Sequence, residues 1–181
     1  MNTGLTSARY ASALYKFAQQ KQQEDTVYKQ MKILVRSFFE LNQLRTVLDN
    51  PVLDNLRKKE IIELVIGSKA DPILESFIDL LLANNRENHL QTIALKYIDI
   101  YREDKQIFSG KLTTAIEIEG EIEQQLVALI EKQTNGTLEL EKTVNPDILG
   151  GFMIEVDNLR WDATLKSELQ SIKNKLIESS I

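Results

Sequence analysis

The side chains that could do chemistry are few. The 181-residue sequence contains no cysteine and a single histidine, His89. This excludes disulfides, thiol catalysis, iron–sulfur clusters and Cys-ligated zinc, and it leaves a Ser-His-Asp triad with a single candidate. Because His89 follows a helix start, we expect a surface or capping role for it rather than catalysis or metal binding.

The acidic residues and the glycine pair do not predict a catalytic or ligand-binding site either. Glu60 and Glu63 could form a general acid–base pair, but on an exposed helix face nothing apolar would desolvate either carboxyl. Acidic residues between 155 and 162 lack the spacing of a calcium-binding loop. Gly150-Gly151 lacks the helix N-terminus of a phosphate-binding loop, so a tight bend entering a strand is expected. We therefore predict no catalytic residue, no metal site and no cofactor.

Charge is distributed unevenly along the chain. The formal net charge is −5. Residues 1–104 carry 14 basic and 14 acidic side chains, whereas residues 105–181 carry 8 and 13. The basic run Arg57-Lys58-Lys59 is expected to form an exposed helical face. Nucleic-acid binding normally requires clustered Lys and Arg, so this distribution argues against it and favours two regions with different surfaces.

No targeting or membrane segment is evident. The sequence has no run of 18 apolar residues, so no membrane-spanning helix is predicted. Its first residues lack a basic cluster followed by an apolar stretch, so we expect neither a secretory signal nor a transit peptide. The protein is expected to work in the compartment where it is made.

Helical periodicity dominates residues 1–104. Apolar residues recur every three or four positions, and Asp54 and Asp71-Pro72 are typical helix starts. Short turns between the helices favour antiparallel neighbours, and the prediction is an N-terminal six-helix bundle. The predicted helices are 6–20, 25–44, 44–48, 54–67, 71–84 and 87–101.

The period changes after Asp104, where Lys105-Gln106 indicates a hinge. Alternating residues predict strands, with Leu112, Thr114, Ile116 and Ile118 on one face of the first. The order strand–helix–strand–strand–helix predicts a small α+β C-terminal domain over 105–181, and an α+β fold overall. The predicted elements are strands 111–118, 137–141 and 152–156, a helix over 122–130, a turn at 157–158 and a last helix capped by Asp162 or Thr164.

Two helices carry more apolar surface than one core face requires. Tyr10, Ala13 and Phe17 widen the stripe of the first helix, and helix 71–84 is apolar on more than one face. If these helices are adjacent, they form an apolar groove that accepts an amphipathic helix from a partner. The alternative is that all of this surface is core.

Several motifs, taken in order, resemble one known family. They are Ala8–Leu14 (ARYASAL), Leu48–Pro51 (LDNP), Asn84–Arg86 (NNR), the region from Leu138 through Gly150-Gly151 to Glu155, and Asp162–Leu165. In this order and spacing they resemble the delta subunit of F-type ATP synthases, called OSCP in mitochondria.

The resemblance implies a non-catalytic stator subunit that couples rotary proton transport to ATP synthesis. In that family the N-terminal six-helix domain holds the N-terminal helix of an alpha subunit of the catalytic head, between its first and fifth helices. By position, the candidates for alpha contact are Tyr10, Ala13, Phe17, Ser76, Phe77 and Leu80.

The family's C-terminal region binds the b subunits of the peripheral stalk. The stripe that matches this role is Leu165, Leu169, Ile172 and Leu176, although packing on the sheet is the favoured use of these side chains. The resemblance also implies one copy per complex and contact with the membrane only through the complex. Without a transit peptide, the cytoplasmic face of the bacterial plasma membrane is the expected location.

Two alternatives remain open at this point. The opening element, Ala8-Arg9-Tyr10-Ala11 in this sequence, also resembles RNA-binding helical bundles of the transcription antitermination family. The neutral first region and the acidic second region argue against that function. An enzyme that uses scattered carboxylates is disfavoured because no catalytic motif is present.

Overall fold

The computed structural model describes residues 3–67, 70–117, 120, 127–128, 131, 136–156 and 159–178. The chain divides into two compact units, residues 1–104 and residues 105–181. The described residues form α-helices followed by a four-stranded mixed sheet and a closing helix, so the fold is α+β. The predicted helix 122–130 falls largely outside the described residues, and Ile118 and the predicted turn 157–158 lie outside them entirely.

The helices of the first unit agree with the periodicity of the sequence. Their starts follow the predicted caps: a carboxylate oxygen of Asp54 accepts from the backbone nitrogen of Arg57 at 2.8 Å, and one of Asp71 accepts from that of Ile73 at 2.9 Å. Gly67, at φ 76°, ends the fourth helix in the left-handed conformation. The helices are α1 (Thr3–Gln20), α2 (Glu24–Glu40), α3 (Gln43–Leu48), α4 (Asn55–Ile66), α5 (Pro72–Ala83) and α6 (Leu90–Lys105), with a 3-10 turn at Glu87–His89.

A cluster of tyrosines ties α1, α2 and α6 together. The rings of Tyr28 and Tyr101 stack with their centroids 3.9 Å apart, and Tyr15 packs edge-on against both Tyr97 and Tyr101. All four side chains are buried. Aromatic pairs in these arrangements stabilise a core beyond the apolar area that they bury.

The hydroxyl groups of this cluster are satisfied inside the protein. Tyr15 donates to a carboxylate oxygen of Asp104 at 2.7 Å, and Tyr101 donates to one of Asp25 at 2.8 Å. Burial, reinforced by these carboxylates, raises the pKa of Tyr15 and Tyr101 well above the ordinary value. Tyr15 and Tyr101 therefore stay protonated to higher pH than free tyrosines do.

Of the basic run in α4, only Arg57 is exposed as the sequence predicts. Lys58 is 3% exposed, and its ammonium group pairs with Glu87 ahead of α6. Lys59 lies 2.9 Å from carboxylate oxygens of both Glu75 and Asp79 on α5. The prediction fails because ion pairs formed with distant residues are not visible as a local pattern.

The second unit contains a sheet in the order β2-β1-β3-β4. Strand β1 is parallel to β2 and antiparallel to β3, and β4 is antiparallel to β3. The core beside the sheet contains Leu112, Leu138, Ile154 and Val156. The elements are β1 (Ile107–Thr114), β2 (Thr137–Val144), β3 (Gly151–Val156), β4 (Leu159–Thr164) and α7 (Leu165–Glu178).

The sheet differs from the prediction at three places, one of which is β2, which continues to Val144 beyond its predicted end at residue 141. Strand β1 begins at Ile107 and ends at Thr114, whose hydroxyl donates to the carbonyl of Ile116 at 2.6 Å. Ile116 is consequently 73% exposed instead of facing the core. Strand β4 was not predicted at all, because its residues carry helix-capping signals and only Thr164 among them is buried.

The expected bend at Gly150-Gly151 is present. Gly151 has φ 73° at the first position of β3. A β-carbon on Gly151 would lie 2.0 Å from the carbonyl oxygen of Ala163 on the neighbouring strand. Glycine is needed here both for the left-handed conformation and for the close approach of β4.

Candidate helix-binding groove

An open groove with a volume of about 400 Å³ lies between α1 and α5. We call it the α1/α5 groove. It brings together all six residues that the sequence singled out for alpha contact, three on each helix. Its lining residues are Arg9, Tyr10, Ala13, Leu14, Phe17, Ile73, Ser76, Phe77 and Leu80.

Buried side chains form the floor of the groove and half-exposed ones form its sides. Leu14, Ile73 and Phe77 are buried, whereas Phe17 is 46% and Leu80 is 50% exposed. Large apolar side chains that remain half exposed on two facing helices are typical of an interaction surface. The alternative that all of this surface is core is therefore wrong for Phe17 and Leu80.

Tyr10 is held in a fixed position at one end of the groove. Its ring packs edge-on against Phe77, with centroids 6.1 Å apart. The guanidinium of Arg86 lies over the Tyr10 ring, 5.4 Å from its centroid, and donates to the Tyr10 hydroxyl at 3.1 Å. Since Arg86 follows the end of α5, this contact ties the middle of α1 to the residues that follow α5.

Two small residues keep the groove open. Ala13 and Ser76 are both exposed in its lining. The Ser76 hydroxyl donates to the carbonyl of Pro72, one turn earlier, at 2.8 Å. Because this bond satisfies the hydroxyl within α5, Ser76 offers a short, low-polarity surface.

The predicted stalk-binding stripe lies on α7 in the second unit. Leu165, Leu169, Ile172 and Leu176 are 47%, 57%, 48% and 63% exposed. The favoured expectation that this stripe packs on the sheet is therefore wrong. Ile177, which the sequence reasoning missed, adds a further side chain that is 53% exposed. It stands next to Leu176, so the apolar stripe could have been extended to it.

Hydrogen bonds fix the start of α7. The backbone nitrogen of Ser167 donates to the Thr164 hydroxyl at 3.2 Å, so Thr164 is the cap. Asp162 supports it by accepting from the Thr164 hydroxyl at 2.7 Å and the Ser167 hydroxyl at 2.8 Å. These hydrogen bonds hold the pKa of the Asp162 carboxyl below its usual value.

The lining of the α1/α5 groove includes three residues that the sequence reasoning did not select: Arg9, Leu14 and Ile73. Leu14 and Ile73 follow the helical spacing of Tyr10 and Phe77 and could have been found by extending each stripe. Arg9 gives no such signal, because an isolated arginine on a helix is normally a solvated residue.

Among the described residues, no three His, Asp or Glu side chains are grouped so that they could hold a metal ion. In the same part of the chain, no helix is both long and apolar enough to cross a membrane. The groove defines the class: a protein with an exposed apolar groove between two helices of its first unit.

Comparisons with known proteins identify the family. The sequence profile described as "ATP synthase delta (OSCP) subunit" matches residues 6–176. The ATP synthase subunit delta of Phocaeicola vulgatus is 38% identical over 98% of this chain and 96% of its own length. That of Parabacteroides distasonis is 35% identical over 99% of each chain. The chain belongs to the ATP synthase delta (OSCP) family, whose members are non-catalytic stator subunits of F-type ATP synthases.

A solved structure supports the same fold. A chain in the cryo-EM structure of the Toxoplasma gondii mitochondrial ATP synthase hexamer matches with a TM-score of 0.64 and 21% sequence identity. The match covers 94% of this chain and 97% of that one. The similarity therefore extends over both units.

Proposed function

We propose that this chain joins the catalytic head of an F-type ATP synthase to its peripheral stalk. Residues 1–104 act as a six-helix bundle that binds the N-terminal helix of an alpha subunit. Residues 105–181 act as the unit that binds the b subunits. One copy serves each complex at the cytoplasmic face of the bacterial plasma membrane, and the chain contacts the membrane only through the complex.

The observation that carries this proposal is the α1/α5 groove. Residues chosen by position in the sequence line one apolar groove between two helices. An amphipathic helix binds such a groove through apolar side chains at every third or fourth position. Burying the exposed halves of Phe17 and Leu80 would contribute about 1 kcal/mol for each side chain.

The mechanism that follows is mechanical. Rotation of the central shaft during ATP synthesis exerts torque on the catalytic head. A stator that releases the head would let the proton gradient dissipate without ATP synthesis. The subunit therefore needs slow dissociation from its partners, and buried apolar anchors supply this more effectively than charges at the edge of an interface.

The test of the groove is a charge placed in its side. Leu80→Asp would leave a carboxylate desolvated beneath the guest helix. We expect the full chain to bind a synthetic alpha N-terminal peptide at least about 30-fold more weakly, corresponding to about 2 kcal/mol. Isothermal titration calorimetry measures the affinity, and circular dichroism checks that the variant is folded.

Leu64→Asp is the matched control, because Leu64 is 82% exposed on α4 and does not line the groove. It should bind the peptide as the unmodified chain does. An unchanged affinity in Leu80→Asp would contradict the proposed use of the groove.

The exposed stripe of α7 supports the second contact. Ile172→Asp is expected to weaken binding of a peptide from the C-terminal end of the b subunit about tenfold or more, because it places a charge among apolar side chains. Asn174→Asp adds the same charge on the polar side of α7 and should have little effect. Equal losses in both variants would contradict a contact through the stripe.

A further inference from the structure

The α1/α5 groove has a positively charged edge on α1. Arg9 lines the groove and is exposed, and Lys16 follows it seven residues later and is also exposed. Seven residues are close to two helical turns, so the two side chains leave the same flank of α1 about 10 Å apart along the axis. We call this pair the α1 rim. Among the described residues, neither cation forms an ion pair.

The opposite edge of the groove does not neutralise the α1 rim. The flank of α5 beside the groove presents Ser76, Leu80 and Ala83, none of which is charged. The acidic residues of α5, Glu75 and Asp79, are both held by Lys59 on α4. The groove is therefore basic along one edge and neutral along the other.

Arg86 strengthens the positive potential at one end. Its guanidinium is fixed over the Tyr10 ring, one residue along α1 from Arg9. Two cations, Arg9 and Arg86, are thus present around Tyr10, and Lys16 is placed farther along α1. A bound helix would experience this asymmetry both across the groove and along it.

We propose that the α1 rim selects a guest helix with carboxylates on the flank that faces α1, spaced about two turns apart. This inference rests on the proposed function, since it specifies the chemistry of the helix that occupies the groove. Charges at the edge of an interface accelerate encounter and fix orientation more than they increase final affinity. The α1 rim sets the direction of the guest helix, and the apolar floor sets its residence time.

The experiment measures association kinetics of the full chain with the synthetic alpha N-terminal peptide. The variants are Arg9→Gln, Lys16→Gln and both together. Lys29→Gln is the control, because it removes an exposed cation from α2 that does not line the groove. The second probe is the same peptide with every Asp and Glu changed to Asn and Gln.

At about 0.05 M salt, the double variant is expected to associate about 3- to 10-fold more slowly than the Lys29→Gln control, with little change in dissociation rate. The difference should shrink at about 0.5 M salt, because exposed charges are then screened. We call the peptide with Asn and Gln in place of Asp and Glu the amide peptide, and the original one the acidic peptide. The amide peptide should associate with the unmodified chain as slowly as the acidic peptide does with the double variant. Combining the amide peptide with the double variant should cause no further loss of rate.

Equal rates for the double variant and the Lys29→Gln control would overturn this inference, as would an amide peptide that associates as fast as the acidic one. In either case a loss of binding in Leu80→Asp would leave the proposed function intact. If the unmodified chain binds neither peptide, the proposed function fails and the inference fails with it.

Discussion

Gly151→Ala offers a sharp test of how the second unit is built. Gly151 opens β3 at φ 73° and pairs with Thr164 on β4. The new β-carbon would meet the Ala163 carbonyl oxygen at 2.0 Å. The position of the β-carbon is fixed by the backbone of residue 151, and the oxygen belongs to the backbone of Ala163. No side-chain rotation therefore relieves the overlap, and β3 and β4 must separate locally.

The cost has two parts. A non-glycine residue in the left-handed region costs about 1 kcal/mol. Forcing a carbon atom into a filled space adds about 1–3 kcal/mol. The expected loss is therefore about 2–4 kcal/mol, a large fraction of the roughly 5–15 kcal/mol that typically stabilises a domain.

The chain carries separate spectroscopic reporters for this measurement. Its one tryptophan, Trp161, lies on β4 opposite Ile154, whereas its five tyrosines all lie within residues 1–104. In urea, the midpoint of the Trp161 fluorescence transition should fall by about 1–2 M. The near-ultraviolet circular dichroism of the tyrosines should keep its midpoint.

Gly67→Ala is the control for backbone strain alone. Gly67 has φ 76°, but a β-carbon there would meet nothing within 4 Å. The Gly67→Ala variant should lose only about 1 kcal/mol of unfolding free energy, and the loss should appear in the near-ultraviolet circular dichroism of the tyrosines. If Gly151→Ala leaves the Trp161 midpoint unchanged, or lowers stability no more than Gly67→Ala does, the close approach of the two strands is refuted.

Two further predictions concern the first unit. Lys58→Met should destabilise the first unit by about 3 kcal/mol in urea unfolding, because the Glu87 carboxylate stays buried without its cation. Recovery of stability in a Lys58→Met, Glu87→Gln double variant would separate this cause from lost packing. The free energy of unfolding should also fall as pH rises above about 10, where tyrosines of the unfolded chain ionise, since burial raises the pKa of Tyr97 in the folded state. Tyr97→Phe should reduce this slope in urea titrations at pH values around 9 to 11, and an unchanged slope would contradict the assignment.

Much of the first unit follows from local signals. Asp54 and Asp71 mark helix starts whatever surrounds them, because their side chains bond to nearby backbone nitrogens. The groove could be anticipated for a related reason. Tyr10, Phe17 and Leu80 widen apolar stripes beyond what one buried face needs, and that excess is visible in the sequence.

The sheet was harder to predict because its strands obey conflicting local signals. Thr164 ends β4 and also caps α7, so the sequence displays the cap and conceals the strand. A glycine normally suggests a break, yet Gly110 lies inside β1. Glycine is needed at this position because a β-carbon would approach side-chain atoms of Leu140 and Val156 to within about 3.0 Å. Such close approaches depend on strands that are distant in sequence.

The buried ion pair could not be predicted for a similar reason. Lys58 and Glu87 are 29 residues apart, and each stands in an ordinary polar stretch. Only the packing of α4 against the turn before α6 brings them together. The exposure of the α7 stripe could not be predicted either, because its spacing is equally compatible with packing on the sheet and with binding a partner.

Site-specific photocrosslinking in the assembled ATP synthase tests the central claim most directly. Leu80→p-benzoylphenylalanine, with Leu64→p-benzoylphenylalanine as the control, would be introduced into the full chain and irradiated within the purified complex. The groove predicts that position 80 forms an adduct with the N-terminal segment of an alpha subunit and that position 64 does not. An adduct with alpha from position 64 but none from position 80 would contradict the account.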